Sequence, residues 1–495
     1  MKFVSTRGKD KVDTASQAIV KGLADDGGLF VPESFPYLFS EIENMVEMDY
    51  AERAATVIGS FLEEYNKDGL LSACKKAYSK FEDDEPAPLV KIDDDLYIME
   101  LFHGPTLAFK DVALTLLPYL LREGCNINGI KDEVLILVAT SGDTGKAALE
   151  GFKDAEGIKI MVFYPSEGVS DMQKLQMRTQ EGSNVNVVGV NGNFDDCQTA
   201  VKRIFSDKNI ESKLKDKGIV FSSANSISFG RLVPQITYYF SAYCDLVASE
   251  EISLGDSVDF VVPTGNFGNI LAGYYAKQMG LPIGKLVCAS NSNNVLTEFF
   301  LTGEYDANRE FFKTTSPSMD ILISSNLERL VFEISGRDTN LTASRMAELK
   351  NQGVYSISDN ERTGLEKDFY AGYVEEEDCL ETISDFFEES GYVLDPHTSV
   401  AVKVAFDYMD SAEKTNKIVV LSTASPYKFC QTVLKAITGK SPSDAFISAN
   451  MLMNETACPV PNQITELKTK EKRFSNVIDK KDTEKAVYDF VFSNK

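Results

Sequence analysis

Six short apolar runs, each followed by a turn and then by a helical pattern, constrain the fold of this chain more than any other feature of its sequence. Runs that are apolar throughout and rich in β-branched residues are typical of strands covered by helices on both faces of a parallel sheet. The runs are VLILVAT (134–140), IKIMVFY (158–164), VNVVGV (185–190), VDFVVPT (258–264), KLVCAS (285–290) and KIVVLST (417–423). The pattern predicts a doubly wound α/β fold with mainly parallel sheets. In such sheets ligands bind beyond the carboxyl ends of the strands, so the residues after each run are the candidates for a functional site.

The first 88 residues have a different pattern and are predicted to form a separate, mostly helical unit. Thr14 and Gln17 have the spacing of a helix capping box, and the apolar periodicity that follows ends at the turn DGG at 26–28. The run EDDEPAP at 82–88 combines four carboxylates with two prolines, which disfavours both helix and strand. We therefore expect a domain boundary near this run.

Charge and composition disfavour several classes of function. Among 495 residues, 75 Asp and Glu oppose 50 Lys and Arg, and the net charge of −25 opposes broad attraction to DNA, RNA or anionic lipid. The eight cysteines include no C-x-x-C pair and there are only two histidines, so we expect reduced thiols and no metal centre. The N-terminus lacks the apolar core of a secretory signal, and no window offers about 18 uninterrupted apolar residues. We expect a cytoplasmic protein without a membrane span.

Polar turns follow three of the apolar runs and one further strand-like segment. They are SGDTG at 141–145, GNFGN at 265–269, STASP at 422–426 and NSISFGR at 225–231. Backbone amides and hydroxyls at the start of a helix form a general anion site, and an arginine can clamp a phosphate or carboxylate with two hydrogen bonds. Each turn also has a purely structural explanation, as a tight strand-to-helix connection, a helix cap or, for Arg231, a surface loop.

Lys110 is the most unusual residue of the sequence. In LAFKDVALTLLPYLL (107–121), Lys110 and Asp111 are the only charged residues, and burial in such surroundings lowers the pKa of an ammonium group towards that of a usable nucleophile. A Lys-Asp pair at the start of an amphipathic helix explains the same pattern. A desolvated lysine together with amide-rich anion sites favours an aldehyde cofactor that forms an imine with lysine, and pyridoxal phosphate fits that description.

The segment HGPTLAFKD at 103–111 resembles the lysine motif of threonine synthases, which are fold-type II pyridoxal-phosphate enzymes. Further segments resemble this family in the same order: STRG (5–8), GLADDGGLFVP (22–32), the loops at 141–145 and 265–268, LDPHT (394–398) and TASPYKF (423–429). Because the long N-terminal unit is included, the resemblance is to the bacterial and fungal type. It implies two doubly wound sheets in three domains. These are a mostly helical N-terminal domain (1–88), a large cofactor-binding domain (89–112 and 232–495) and a small α/β domain (113–231) that carries the 141–145 loop.

The resemblance also implies the members of the site. Lys110 is the implied catalytic residue and holds the cofactor as a Schiff base. The other implied cofactor-binding residues are Gly265, Asn266, Phe267, Gly268, Asn269 and Thr423. The implied substrate-binding residues are Thr106, Ser141, Asp143, Thr144, Asn225, Ser226 and Arg231. Ser228 stands where the family pattern leads us to expect asparagine, and we expect His397 to be a structural histidine at a helix N-terminus.

The activity that the resemblance implies is elimination of phosphate from O-phosphohomoserine followed by addition of water, which gives L-threonine. A phospholyase similar to the threonine synthase-like proteins, giving 2-oxobutyrate and ammonia, is one alternative. A second alternative is another fold-type II β-eliminating lyase or dehydratase. A third is a non-catalytic relative that keeps the fold for binding or assembly. We expect a small-molecule substrate and a monomer or homodimer.

Overall fold

The computed structural model describes residues 1–82, 85–140, 142–166, 169–411 and 416–492. All six apolar runs of the sequence form β-strands in it. The strands are β1 (Phe3–Ser5), β2 (Lys11–Val12), β3 (Phe30–Pro32), β4 (Leu89–Lys91), β5 (Leu96–Glu100), β6 (Glu133–Ala139), β7 (Ile158–Pro165), β8 (Val185–Asn191), β9 (Ile219–Ser222), β10 (Val258–Pro263), β11 (Ile283–Ser290), β12 (Glu304–Asp306), β13 (Val354–Ser356), β14 (Phe369–Tyr373), β15 (Lys417–Ser422) and β16 (Val477–Asp479).

Helices alternate with these strands along most of the chain. They are α1 (Ala15–Lys21), α2 (Ile42–Val46), α3 (Tyr50–Gly59), α4 (Lys67–Tyr78), α5 (Lys110–Leu114), α6 (Leu117–Ile127), α7 (Asp143–Phe152), α8 (Asp171–Arg178), α9 (Phe194–Ser206), α10 (Lys208–Lys215), α11 (Phe229–Ala248), α12 (Gly268–Gln278), α13 (Val295–Thr302), α14 (Leu327–Ile334), α15 (Thr339–Gln352), α16 (Asp359–Asp368), α17 (Glu376–Ser390), α18 (Pro396–Ser411), α19 (Cys430–Thr438), α20 (Ala445–Thr456), α21 (Asn462–Thr465) and α22 (Thr483–Phe492). Among the described residues, no helix is both long and apolar enough to cross a membrane.

Two parallel sheets form the framework. The five-stranded sheet has the order β16-β8-β7-β6-β9, and all of its pairs are parallel. The six-stranded sheet has the order β14-β11-β10-β15-β5-β4, in which β4 alone pairs in the antiparallel direction. Central strands such as β10 are buried at every residue because helices cover both faces. The predicted α/β class with two mainly parallel sheets is confirmed.

Helix α11 connects the two sheets, since it follows β9 of the five-stranded sheet and precedes β10 of the six-stranded one. Its residues are buried on nearly all sides, because α3 of the N-terminal unit and α12 both pack against it. The N-terminal unit is thus attached to the helix that joins the sheets.

The N-terminal unit contains the predicted helices and also an antiparallel sheet of order β2-β1-β3 that the sequence did not indicate. The Thr14 hydroxyl caps α1 by accepting the N–H of Gln17, while the Gln17 side chain accepts the N–H of Asp13. The helix ends at Lys21, earlier than the predicted turn at 26–28, because Gly22 adopts φ +72°. Residues 83 and 84 of the acidic run lie outside the described residues.

The C-terminal segment returns to the five-stranded sheet. Strand β16 pairs with β8, and Val487 and Val491 of α22 belong to the apolar core of that sheet. This part of 232–495 therefore lies with the small unit, whereas the sequence analysis placed it in the large one. A strand of three residues is too short for its apolar pattern to indicate which sheet it joins.

Candidate active site

Lys110 is the first residue of α5, and about one tenth of its side chain is exposed. Its Nζ lies 3.7 Å from Oδ2 of Asp143 and 4.6 Å from the centre of the Phe109 ring. Burial is the largest effect on this amine and lowers the pKa of Lys110 to about 8, against the opposing attraction of Asp143. The amine is therefore neutral in an appreciable fraction of molecules near neutral pH.

The backbone that carries Lys110 is fastened to the end of β15. Phe109 donates its N–H to the carbonyl of Thr423 at 2.9 Å, and Ser425 donates to the carbonyl of Leu107 at 3.1 Å. Leu107 adopts φ +62°, a left-handed conformation that costs about 1 kcal/mol for a residue with a Cβ. These bonds hold the strained turn and place Lys110 beside Thr423, whose hydroxyl makes no hydrogen bond to any described residue.

Asp143 is the anionic centre of the site and begins α7. Its Oδ1 lies 2.7 Å from Lys428 Nζ and accepts from Gln173 Nε2 at 2.9 Å, while Oδ2 accepts from the Ser318 hydroxyl at 3.1 Å. Burial by itself would raise the pKa of Asp143, but the ammonium groups of Lys428 and Lys110 hold it well below its usual range. An ionised carboxylate is thus shared by two lysines.

The loop after β10 forms a cradle of backbone amides. Within the described parts of the chain, the N–H groups of 265–269 have no hydrogen-bond acceptor, and they lie at the positive end of α12. Phe267 adopts φ +60°, which a residue with a Cβ keeps only where its surroundings enforce it. A Cβ at Gly265 would lie 2.8 Å from the carbonyl oxygen of Ser318, so a larger residue does not fit there. The buried Nδ2 of Asn269 also lacks a partner among these residues.

The segment after β9 presents a second set of unpaired donors. Arg231 is 2% exposed and donates from Nη1 to the carbonyl of Ala224 at 2.8 Å, whereas its Nε has no partner among the described residues. The buried hydroxyl of Ser228 also lacks a partner there, and Asn225 and Ser226 lie half-buried on the same loop. Burial lowers the pKa of Arg231 to about 10. A buried guanidinium that no described carboxylate neutralises is suited to binding an anionic ligand.

Three further predicted residues have different surroundings. Thr106 is fully buried, and its N–H and hydroxyl donate to Oδ2 and Oδ1 of Asp111 at 2.7 and 2.5 Å. Its hydroxyl hydrogen is therefore engaged, and its contact with a substrate phosphate stays a prediction. Thr144 is half-buried in the first turn of α7. Ser141 lies outside the described residues.

His397 lies in the first turn of α18 and contacts the site through Ser318. Its Nδ1 is 2.7 Å from Oδ1 of Asp395, and Ser318 donates its backbone N–H to Nε2 at 3.2 Å. Because Nε2 accepts, the ring proton lies on Nδ1 and is donated to Asp395. The imidazole thus positions the segment that contacts both Asp143 and Gly265.

Arg329, a second buried arginine, ties the two donor loops to the N-terminal unit. It donates from Nε and Nη2 to the carbonyl of Phe30 at 3.1 and 3.0 Å, and from Nη2 to the carbonyl of Ile227 at 2.7 Å. Its Nη1 donates to Oδ1 of Asn326 at 2.6 Å, and Asn326 Nδ2 donates to the carbonyl of Asn266 at 2.9 Å. One guanidinium therefore holds β3 and both loops.

The sequence analysis did not identify Gln173, Ser318, Arg329 and Lys428 as members of this region. Lys428 has a sequence signal of the same kind as Lys110, because it is the one charged residue of TASPYKF at 423–429. Gln173 lies on α8, and Ser318 and Arg329 lie between strands β12 and β13. The strand pattern gives no position for those segments relative to the sheets.

These residues fit pyridoxal phosphate. The buried amine of Lys110 suits its aldehyde, and the unpaired amides of 265–269 suit its phosphate. In the described parts of the chain, no group of three or more His, Cys, Asp or Glu side chains is arranged to hold a metal ion. All eight cysteines are free thiols, and seven of them are buried.

Sequence models of three families match consecutive parts of the chain. They are described as threonine synthase N terminus, at residues 2–78, pyridoxal-phosphate dependent enzyme, at 83–424, and threonine synthase, C-terminal, at 398–491. Together these matches extend over nearly the whole sequence.

Individual relatives resemble the chain over most of its length. It is 43% identical to human threonine synthase-like 1 over 438 residues, which cover 85% of this chain and 58% of that longer protein. It is 38% identical to the threonine synthase of Pseudomonas aeruginosa, with 94% of this chain and 97% of that protein covered. The crystal structure of pyridoxal-phosphate-bound threonine synthase from Brucella melitensis matches with a TM-score of 0.88 and 38% identity over 99% of both chains.

Proposed function

Because the chain belongs to the threonine synthase family of pyridoxal-phosphate dependent enzymes, we propose that it converts O-phosphohomoserine and water to L-threonine and inorganic phosphate. One observation carries this proposal: two separate sets of unpaired donors, one on the 265–269 loop and one on the 225–231 segment, accompany the buried, partly neutral amine of Lys110. A reaction that uses a phosphorylated cofactor and a phosphorylated substrate needs two such anion sites.

We assign the cofactor to Lys110, to the 265–269 loop and to Thr423. The Lys110 amine would take the aldehyde, and the backbone amides together with Asn269 would take the phosphate. The Thr423 hydroxyl would face the ring nitrogen, where it leaves that nitrogen largely unprotonated. When bound, pyridoxal phosphate supplies an electron sink beside the substrate α-carbon.

We assign the substrate phosphate to Asn225, Ser226 and Arg231. The guanidinium of Arg231 is already desolvated and lacks a counter-ion among the described residues, so it would stabilise the negative charge that grows on the phosphate as it leaves. Thr144, at the start of α7, and Ser141 before it would hold the substrate carboxylate. Because Arg231 is buried, bulk water would have little access to this end of the bound substrate.

Lys110 also has the protonation behaviour that the reaction needs. With a pKa of about 8, its amine can accept a proton from the substrate α-carbon and return it at the end of the reaction. Asp143, which stays ionised, cannot donate a proton and acts on Lys110 through its charge.

A second candidate activity is the release of phosphate with formation of 2-oxobutyrate and ammonia. The 43% identity to human threonine synthase-like 1 favours testing it, because that protein is as similar to this chain as the threonine synthases are. Both activities begin with loss of phosphate, and they differ in whether water is then added to the substrate carbon skeleton.

Product analysis tests the proposal directly. The purified chain is incubated with pyridoxal phosphate and O-phosphohomoserine, and phosphate, threonine and 2-oxobutyrate are measured over time. We expect one threonine for each phosphate released, and a loss of turnover of at least about 10³-fold in Lys110→Ala.

A matched control is Lys403→Ala, which removes a half-exposed lysine that pairs with Asp407; it should turn over at the wild-type rate. Circular dichroism checks that both variants are folded. Phosphate accompanied by 2-oxobutyrate and no threonine would support the second activity, and full turnover by Lys110→Ala would contradict both.

A further inference from the structure

Lys428 is a buried cation for which the proposed reaction has no use. It lies on a short 3₁₀ helix after β15, Pro426–Phe429, and its side chain has no exposed surface. Its Nζ lies 2.7 Å from Oδ1 of Asp143 and donates to the carbonyl of Thr106 at 2.9 Å. Burying an ammonium group costs several kcal/mol unless it is paired and hydrogen-bonded, and both conditions are met here.

Asp143 has two ammonium neighbours at unequal distances. Lys428 lies at hydrogen-bond distance from one carboxylate oxygen, whereas Lys110 lies 3.7 Å from the other. A single carboxylate cannot neutralise two cations. Because the contact with Lys428 is the shorter one, the Asp143 carboxylate pairs mainly with Lys428. The Lys110 ammonium is left with an incomplete ion pair and with a second ammonium near it.

The charged groups that act on Lys110 come from four elements. They are Asp143 on α7, Lys428 on the 3₁₀ helix, Arg231 on α11 and Asp111 on its own helix. Asp111 is itself held by two hydrogen bonds from Thr106, and Thr106 accepts from Lys428. Lys428 is therefore the group that touches both the acidic partner of Lys110 and the turn that carries Lys110.

We propose that Lys428 is a positioning residue that engages Asp143 as its own counter-ion and thereby keeps the Lys110 amine available in its neutral form. This inference rests on the proposed function only for the role of the neutral Lys110 amine in the reaction. Lys428 acts in two ways: it withdraws the carboxylate that would otherwise stabilise the Lys110 ammonium, and its own positive charge opposes a second one nearby. Both effects have the same sign.

The test measures the Lys110 amine in the protein without cofactor or substrate. Because about one tenth of the side chain is exposed, acetic anhydride can reach it, and mass spectrometry gives the rate of acetylation at Lys110 as a function of pH. In Lys428→Gln, which keeps an N–H donor but no charge, we expect the apparent pKa of Lys110 to rise by about one unit. Its acetylation at pH 7 should then be about tenfold slower.

Asp143→Asn, which is nearly isosteric, gives an independent measurement if Lys428→Gln does not fold. It removes the attraction that favours the ammonium form, so the apparent pKa of Lys110 should fall below the wild-type value. A general opening of the site would instead raise the apparent pKa of Lys110 in both variants, towards the value of 10.5 for an exposed lysine. Shifts of the Lys110 pKa in opposite directions in the two variants therefore distinguish a specific charge effect from a general loosening of the site.

Lys403→Gln is the matched control, since it removes a lysine that pairs with Asp407 at the surface; Lys110 should then label as in the wild type. An unchanged apparent pKa in folded Lys428→Gln, or an unchanged or raised value in Asp143→Asn, would overturn the inference. A chain that forms no threonine but shows both shifts would contradict the proposed function and leave this inference standing.

Discussion

At the scale of single residues, Arg231 distinguishes the two anion sites. Its unpaired Nε and desolvated guanidinium lie in the first turn of α11, in the 225–231 segment, whereas the amide cradle lies on a separate loop at 265–269. Arg231→Ala should therefore raise KM for O-phosphohomoserine about 10²-fold, because loss of a charge-assisted hydrogen bond costs up to about 3 kcal/mol. The absorption spectrum of bound pyridoxal phosphate should not change, and steady-state kinetics with spectroscopy measure both quantities.

Arg53 provides a control for the loss of a buried arginine. It lies on α3 of the N-terminal unit, is 5% exposed and pairs with Asp245 on α11, so Arg53→Ala should lower the free energy of unfolding and leave KM at the wild-type value. Loss of the cofactor spectrum in Arg231→Ala, with KM retained, would mean that the two phosphates occupy the opposite sites from those proposed.

At the scale of elements, Arg329 determines how firmly the two loops are held. Its guanidinium bonds to β3 and to the 225–231 loop directly, and to the 265–269 loop through Asn326. Arg329→Met removes these donors and leaves the carbonyls of Phe30 and Ile227 without them. We expect faster amide hydrogen exchange in β3 and in the 225–231 segment, with the exchange of β10 and β15 unchanged, as measured by mass spectrometry.

Arg345→Met is the matched variant for this experiment. Arg345 is also buried, but it bonds to Glu361 and to the carbonyl of Ser356, away from both loops. Its removal should speed exchange near α16 only. Equal protection of β3 and of the 225–231 segment in wild type and Arg329→Met would show that other contacts hold them.

The elements that the sequence predicted share a strong local signal. Long apolar runs gave the six central strands, because burial on both faces selects β-branched residues without interruption. The three strands of the antiparallel sheet β2-β1-β3 and strand β16 have only two or three residues each. Segments this short show no apolar periodicity in the sequence. The early end of α1 depends on the positive φ of Gly22, which apolar periodicity does not indicate.

Candidate site residues could be predicted where a polar turn follows a strand or where one charge stands among apolar residues. The 265–269 loop and Arg231 were selected for the first reason and Lys110 for the second, and their roles stay predictions. Lys428, Gln173 and Ser318 reach Asp143 from three different segments. Only the three-dimensional packing of helices and loops brings those segments together, so spacing along the chain does not reveal them.

At the scale of the whole molecule, the net charge of −25 and the site oppose each other. The summed charge repels anions, whereas the site contains the buried cations Arg231, Arg329 and Lys428 and the partly neutral Lys110, with Asp143 as the ionised partner of the two lysines. Oriented amides and buried cations act at short range and in low dielectric, while the surface charge is screened beyond about 10 Å at 0.1 M salt. The attraction of an anion by the amides and cations of the site should therefore exceed its repulsion by the net charge of the protein.

Inorganic phosphate tests this balance in the protein without cofactor. Sodium chloride should raise the thermal midpoint slightly by screening the surface charge, and phosphate at the same ionic strength should raise it by about 2 °C more when it is present at ten times its Kd. In Arg231→Ala the chloride effect should persist and the additional effect of phosphate should shrink, because one of the two anion sites has lost its cation. Equal midpoints in chloride and phosphate for the wild type would mean that the long-range field of the acidic surface outweighs the donors of the site.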